Sequence, residues 1–187
     1  MLQDQEAAVL CLAASRLALV SGTQFYCLLL RIWTNTTSVW HLMGVGYKNG
    51  LIQTWSDTGQ RVLALTGHAE FVWDMVFTSD AILVSGSGDG SLRTWNVLTG
   101  ECMYVHSGLG GINVLALSPS GQVALVCDTF KVKVLSSSGP NSRLITTITL
   151  EDPLSTSGVR FLQNERNASG ESLLVATEEG YIFKFIV

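Results

Sequence analysis

A tryptophan-bearing motif returns at a fixed interval along this chain. Trp55 and Trp95 each end a short run of strand-forming residues, Leu135 stands at the same place in 130–135, and 40 residues separate each from the next. A period of this size marks an array of like units, each burying its apolar face only against its neighbours. Within the unit, the runs Val72–Phe77, 82–85 and 92–95 are short, rich in β-branched or aromatic residues, and bounded by Gly, Asp, Asn and Thr-Gly turn signals. They read as strands, so the chain is expected to be all-β and built of small repeated units.

The most complete unit runs from Leu65-Thr66-Gly67-His68 through 71–77 (Phe-Val-Trp-Asp-Met-Val-Phe) and 82–90 to Ser91-Leu92-Arg93-Thr94-Trp95-Asn96-Val97. It resembles the WD40 repeat family over one whole repeat. The resemblance implies a β-propeller with four antiparallel strands per blade, and a binding module rather than an enzyme. It further implies a hydrogen-bonded chain that locks the blade: His68 in the entering loop, Ser85 in the second strand, Asp89 in the turn and Trp95 in the third strand. Imidazole, carboxylate and indole N–H are each costly to bury alone, whereas in series every donor meets an acceptor. Ser, His and Asp are also the parts of an acyl-transfer triad. No nucleophile elbow or oxyanion loop accompanies them, so the expected role is structural and no residue is assigned to catalysis. The literal pair Trp73-Asp74 falls in the first strand, and the family's namesake dipeptide stands here as Trp95-Asn96. Resembling propeller receptors of cullin ligases carry an Arg shortly after that dipeptide; Val97 and Leu98 follow here.

Other units are less complete. The segment 41–66 has an Asn49-Gly50 turn suited to a tight hairpin and Trp55. The segment 108–150 lacks a Gly-His pair and has Leu135 for Trp, and 151–187 ends in a hairpin with Phe185 in the tryptophan position after an insertion near 164–171. At the front, 9–12, 17–22 and 30–33 read as three strands of a partial blade over 7–33. Trp33 and Trp55, however, lie only 22 residues apart, short of the period by about a fourth strand, a first strand and their loop. The expected architecture is a partial WD40 propeller of about four to five full or incomplete blades, 7–33, 41–66, 67–107, 108–150 and 151–187. The spacing also predicts a shortened form or fragment of a longer propeller.

Composition sharpens this. The 187 residues cannot hold the seven blades that the family commonly closes, and a hydrophobic content of 47% with only 14% charged residues leaves little polar surface for open edges. A small ring, a completing chain or self-association is therefore expected. A net charge of −4 without runs of like charge argues against nucleic-acid binding. Asp4 and Glu6 precede the apolar stretch 7–20 and Arg16 interrupts it, against a signal peptide or membrane span. Cys11, Cys27, Cys102 and Cys127 read as reduced thiols, and the sequons at Asn35 and Asn167 as inert in a cytosolic chain. His41, His68 and His106 lack zinc-ligand spacing, and Gly86-Ser87-Gly88-Asp89-Gly90 lacks the Lys-Ser/Thr ending of a phosphate loop. No metal or cofactor is expected; the expected partners are proteins or peptides inside the cell, in cytoplasm or nucleus.

The resemblance places partner contacts on the loops at one face of the disc. Mapped onto this chain, that face takes in Glu70, Phe71 and Trp73 beside the loop entering the best unit, with Tyr47 and Gly88 near the turns. Aromatic residues of this kind are enriched in interface hot spots, while an apolar strand residue is more often core. The roles that remain are a scaffold or adaptor, a substrate-recognition subunit of a ubiquitin ligase or other complex, an enzyme built on a propeller, and a poorly folded product competing with a longer form.

Overall fold

The computed structural model describes residues 9–14, 42–56, 58–79, 81–118, 120–127, 131–149, 156–162, 172–177 and 181–186. They form four antiparallel sheets, each in sequence order. The first holds β1 (Val9–Ala14), β2 (Leu42–Tyr47), β3 (Ile52–Ser56) and β4 (Arg61–Leu65). The second holds β5 (Val72–Phe77), β6 (Ile82–Ser87), β7 (Leu92–Asn96) and β8 (Glu101–His106). The third holds β9 (Ile112–Leu117), β10 (Val123–Cys127), β11 (Lys131–Leu135) and β12 (Leu144–Thr149). The fourth has β13 (Thr156–Leu162), β14 (Ser172–Thr177) and β15 (Ile182–Ile186).

The period in the sequence is a period in hydrogen-bond register. Trp55 faces Met43, Trp95 faces Leu83, Leu135 faces Val123 and Phe185 faces Leu173, each at the same step of its hairpin. Hairpin turns recur with it. Gly50 and Gly90, at φ +81° and +76°, close the β2–β3 and β6–β7 turns in the left-handed conformation that only glycine adopts without strain. Strand β1, read as the opening of a separate 7–33 unit, pairs with β2 and so completes the sheet of the 41–66 unit. The other strands expected in 7–33 lie outside the described residues.

Irregularities repeat as well. Where β4, β8 and β12 pair with their neighbours, one residue of each is left over: Val62, Met103 and Ile145. All three are exposed although apolar, because a bulged residue drops out of the inside–outside alternation. The pairing of β5 with β6 skips one residue too, and that residue is Trp73.

Sheets stack face to face, with β1 beside β5, β5 beside β9 and β9 beside β13. Apolar side chains fill the seams: Ile52 and Leu65 meet Val72, Met75, Leu83 and Trp95; Val84 and Leu92 meet Ile112, Leu115 and Leu125; Val132 and Val134 meet Leu173 and Val175. A middle strand such as β6 is consequently buried on both faces. Gly86 permits the approach, since a Cβ there would lie 2.5 Å from Ile112 Cγ2. Each such aliphatic residue contributes about 1.5–3 kcal/mol by leaving water.

Polar links cross the seam between the second and third sheets. Asp74, buried in β5, accepts from Met75 N at 2.8 Å and from Leu115 N in β9 at 2.7 Å. Thr94 Oγ1 donates to Ser138 O at 2.7 Å, His106 Nε2 to Gly139 O at 3.1 Å, and Lys133 Nζ to Leu109 O at 2.6 Å.

Candidate functional site

His68, Ser85, Asp89 and Trp95 meet in the second sheet. His68 Nε2 lies 2.7 Å from Ser85 Oγ, and Nδ1 lies 3.0 Å from Asp89 Oδ2. Trp95 Nε1 donates to Ser85 Oγ at 2.8 Å. Asp89 also accepts from Ala69 N, Ser91 N and Ser91 Oγ, at 3.0, 2.8 and 2.6 Å. The proton order follows from these partners. Nδ1–H donates to the carboxylate, bare Nε2 accepts the Ser85 hydroxyl, and Ser85 takes the indole N–H on its remaining lone pair.

In outline this is Ser–His–Asp geometry, but the serine is sealed. Ser85 is 0% exposed and holds the indole hydrogen bond on the oxygen that would have to attack. The network ties the loop before β5 and the β6–β7 turn to the middle strands of the second sheet.

Its electrostatics agree. Burial drives the His68 imidazole below its ordinary value, against the pull of the Asp89 hydrogen bond and charge, and the Arg93 charge adds to the lowering. Burial would raise the Asp89 carboxyl, but the bonds from Ser91, Ala69 and His68 together outweigh it and hold the group well below the usual carboxylate range. Both groups therefore bind protons less readily folded than unfolded, and stability must fall with pH. The His68 contribution is present above about pH 6.5 and is lost as the unfolded imidazole protonates below it; the Asp89 contribution is lost below about pH 4. We expect the unfolding free energy to drop between pH 7.5 and 5.5, by up to roughly 1.4 kcal/mol per pH unit near the steepest point, and the slope to flatten in His68→Asn, as chemical denaturation across that range would measure.

The neighbouring sheets lack the same lock, for a traceable reason. In β10 and β11 the Ser85 and Trp95 positions hold Leu125 and Leu135, so both polar partners are replaced by buried apolar groups, a change that can be nearly neutral. In β2 and β3 only the acceptor is replaced: Val45 stands in the Ser85 position. Trp55 Nε1 is buried with no hydrogen-bond partner among the described residues. A lone buried N–H costs about 1–3 kcal/mol. Val45→Thr, close in shape and supplying a hydroxyl, should raise stability by about 0.5–1 kcal/mol, with thermal denaturation as the check.

The expected partner face divides. Glu70, Phe71 and Trp73 are exposed together, Phe71 at 40% and Trp73 at 36%. The two rings meet edge to face at 5.4 Å, and Lys48 Nζ lies 5.8 Å from the Phe71 centroid. Gly88 lies beneath: a Cβ there would come within 3.0 Å of Glu70 Oε2 and 3.4 Å of Trp73 Nε1. The bulge in β5 turns Trp73 outward. Tyr47 is placed elsewhere. It is buried with Val45 and Trp55, its hydroxyl donates to Gln53 Oε1 at 2.8 Å, and burial raises its phenol pKa against the Arg61 charge. Sequence reasoning missed Lys48, adjacent to the Asn-Gly turn, and the inter-sheet role of Asp74. Among the described residues, no group of His, Cys, Asp or Glu could hold a metal ion, and no helix is long and apolar enough to cross a membrane.

Repeated antiparallel sheets of three or four strands, stacked face to face, form a partial β-propeller, and the second of them, locked by a buried His–Ser–Trp–Asp chain, is similar to a WD40 repeat. Residues 59–96 match the family model described as WD domain, G-beta repeat. The chain is similar to eukaryotic translation initiation factor 3 subunit I from Emericella nidulans, at 36% identity over 72 residues, or 38% of this chain and 21% of the relative. The subunit from Scheffersomyces stipitis matches over 156 residues at 24% identity, covering 77% of this chain and 44% of its own length. The matches thus span between about a fifth and under half of these relatives. In fold the chain is similar to the computationally designed Ika4 protein, whose crystal structure matches with a TM-score of 0.69 at 18% identity, covering 100% of this chain and 96% of that one.

Proposed function

We propose that this chain is a non-catalytic scaffold that docks other proteins within a multiprotein assembly inside the cell. The observation that carries the reading is the contrast between its two clusters. The Ser–His–Asp set is sealed and serves the blade. The aromatic pair Phe71 and Trp73, flanked by Lys48 and Glu70, stands in water on one face. Aromatics half in water, braced by a ring contact, have little side-chain freedom to lose on binding, as interface anchors require.

The names of the relatives direct the test toward a translation initiation assembly in the cytoplasm. The tagged chain, expressed in eukaryotic cells, should co-purify with other subunits of translation initiation factor 3, quantified by mass spectrometry. Trp73→Ala should lower that recovery about tenfold or more without changing the unfolding free energy by more than roughly 0.5 kcal/mol. Full recovery with Trp73→Ala, or none of those subunits with the unaltered chain, would sink the reading.

A further inference from the structure

The first strand of each sheet leaves one residue out of its pairing at the same step: Leu10 in β1, Trp73 in β5, Asn113 in β9 and Ser157 in β13. A bulge re-aims the chain where it falls, and its repetition gives neighbouring sheets equivalent positions. Trp73 and Asn113 lie one period apart on strands that sit side by side, and both are exposed.

Beside Trp73, the Glu70 side chain reaches over Gly88, so the carboxylate and the indole converge above a residue that has no side chain of its own. Among the described residues, neither the Glu70 carboxylate nor the Asn113 carboxamide has a hydrogen-bond or ion-pair partner. The charge balance here is negative. Asp89, tied to the same loop through Ala69 N at 3.0 Å, joins Glu70 against the single ammonium of Lys48. Lys48 lies over the Phe71 ring, so the ring pair accepts a cation on that side and leaves Trp73 and Glu70 for another.

We infer that this face takes an arginine side chain from an extended segment of the partner protein, stacked on the Trp73 indole and paired with Glu70, the segment running on to Asn113. The inference rests on the reading of the Trp73 face as a docking surface and names what docks there. A guanidinium suits the pair better than an ammonium, because it is planar and weakly hydrated and can stack on an indole while giving two parallel N–H bonds to one carboxylate. Asn113 offers a donor and an acceptor, the complement of the C=O and N–H that an extended segment presents. Stacked sheets lie about 10 Å apart and an extended chain advances about 3.3 Å per residue. The backbone facing Asn113 is therefore about three residues from the arginine.

The test titrates the isotopically labelled full chain, by NMR, with acetyl-Arg-Gly-Gly-Gly-Gly-amide and with the same peptide carrying citrulline, which keeps the shape of arginine and lacks its charge. The Trp73 indole N–H resonance, identified by its loss in Trp73→Phe, reports on one end of the site and the Asn113 side-chain amide on the other. The arginine peptide should move both resonances and bind about tenfold tighter than the citrulline peptide. Glu70→Gln should weaken it about three- to fivefold, and Asn113→Ala should weaken the peptide while leaving acetyl-Arg-amide unaffected. Both variants should keep the thermal midpoint, since both residues are exposed. Unmoved resonances, equal affinity for the two peptides, or indifference to either substitution overturns the inference. Co-purification separates it from the reading beneath it: recovery lost in Trp73→Ala but kept in Glu70→Gln overturns the arginine and leaves the docking surface standing, whereas recovery kept in Trp73→Ala removes the surface itself.

Discussion

His68→Ala should destabilise the chain by about 2–4 kcal/mol in chemical denaturation while creating no defect in any hydrolytic assay. The size follows from what the imidazole holds together. Its removal takes the acceptor from the Ser85 hydroxyl and a donor from Asp89, and it empties a ring-sized volume among buried neighbours. Asp89 would keep its bonds from Ala69 and Ser91, so most of the loss arises at the Ser85 end and in the cavity. Trp95→Phe offers a graded comparison, since it leaves Ser85 bonded to His68 and sacrifices only the indole bond. Trp55→Phe should cost less than Trp95→Phe, because the Trp55 N–H has no acceptor to lose. Equal costs for the two tryptophans would contradict the account of the lock.

Gly50→Ala should be of similar size, about 2–4 kcal/mol, from backbone geometry alone. The residue turns the β2–β3 hairpin at φ +81°, and a Cβ there would fall onto the His68 carbonyl oxygen, with the Glu70 carbonyl at 3.1 Å. The left-handed conformation costs a non-glycine residue roughly 1–2 kcal/mol. Relief of the clash would push the 68–70 loop away from the first sheet, so the damage should reach the second-sheet lock. Gly59, at φ +77° with nothing within 4 Å of an added Cβ, is the control. Gly59→Ala should lose only the conformational part. Thermal midpoints of the two variants, read side by side, separate strain from collision.

What the sequence conveyed well were features set by residue type at a fixed spacing. The equivalence of Trp55, Trp95 and Leu135 needed only counting, because register and chain length advance together in a regular repeat, and the hairpin pattern around Phe185 placed it despite the insertion before it. The partners in the lock were named from the resemblance to the WD40 repeat, with mutual satisfaction of the four side chains as its physical reason. Features set by a single extra residue were not legible. A strand's alternation has period two, so one bulged position reverses inside and outside, and nothing in 71–77 announces that Trp73 is that residue. Tyr47 misled for the opposite reason: an aromatic next to an Asn-Gly turn reads as surface, yet the hairpin brings Gln53 back to satisfy its hydroxyl. Asp74 was opaque because its partner is a backbone N–H 41 residues away, and backbone groups leave no trace in composition. The sequence reading placed 17–22, which repeats the Leu-Val-Ser-Gly pattern of β6, in one unit with β1, whereas the structure pairs β1 with 42–47.

The links around Asp74, Thr94, His106 and Lys133 bear on how the array carries mechanical load. A hydrogen bond yields over a fraction of an ångström, whereas apolar contact gives way gradually as surface is uncovered. Shear applied between the second and third sheets must break four polar links and strand a buried carboxylate, so these two sheets resist as one brittle block. A chain drawn out by its ends would surrender the central pair together.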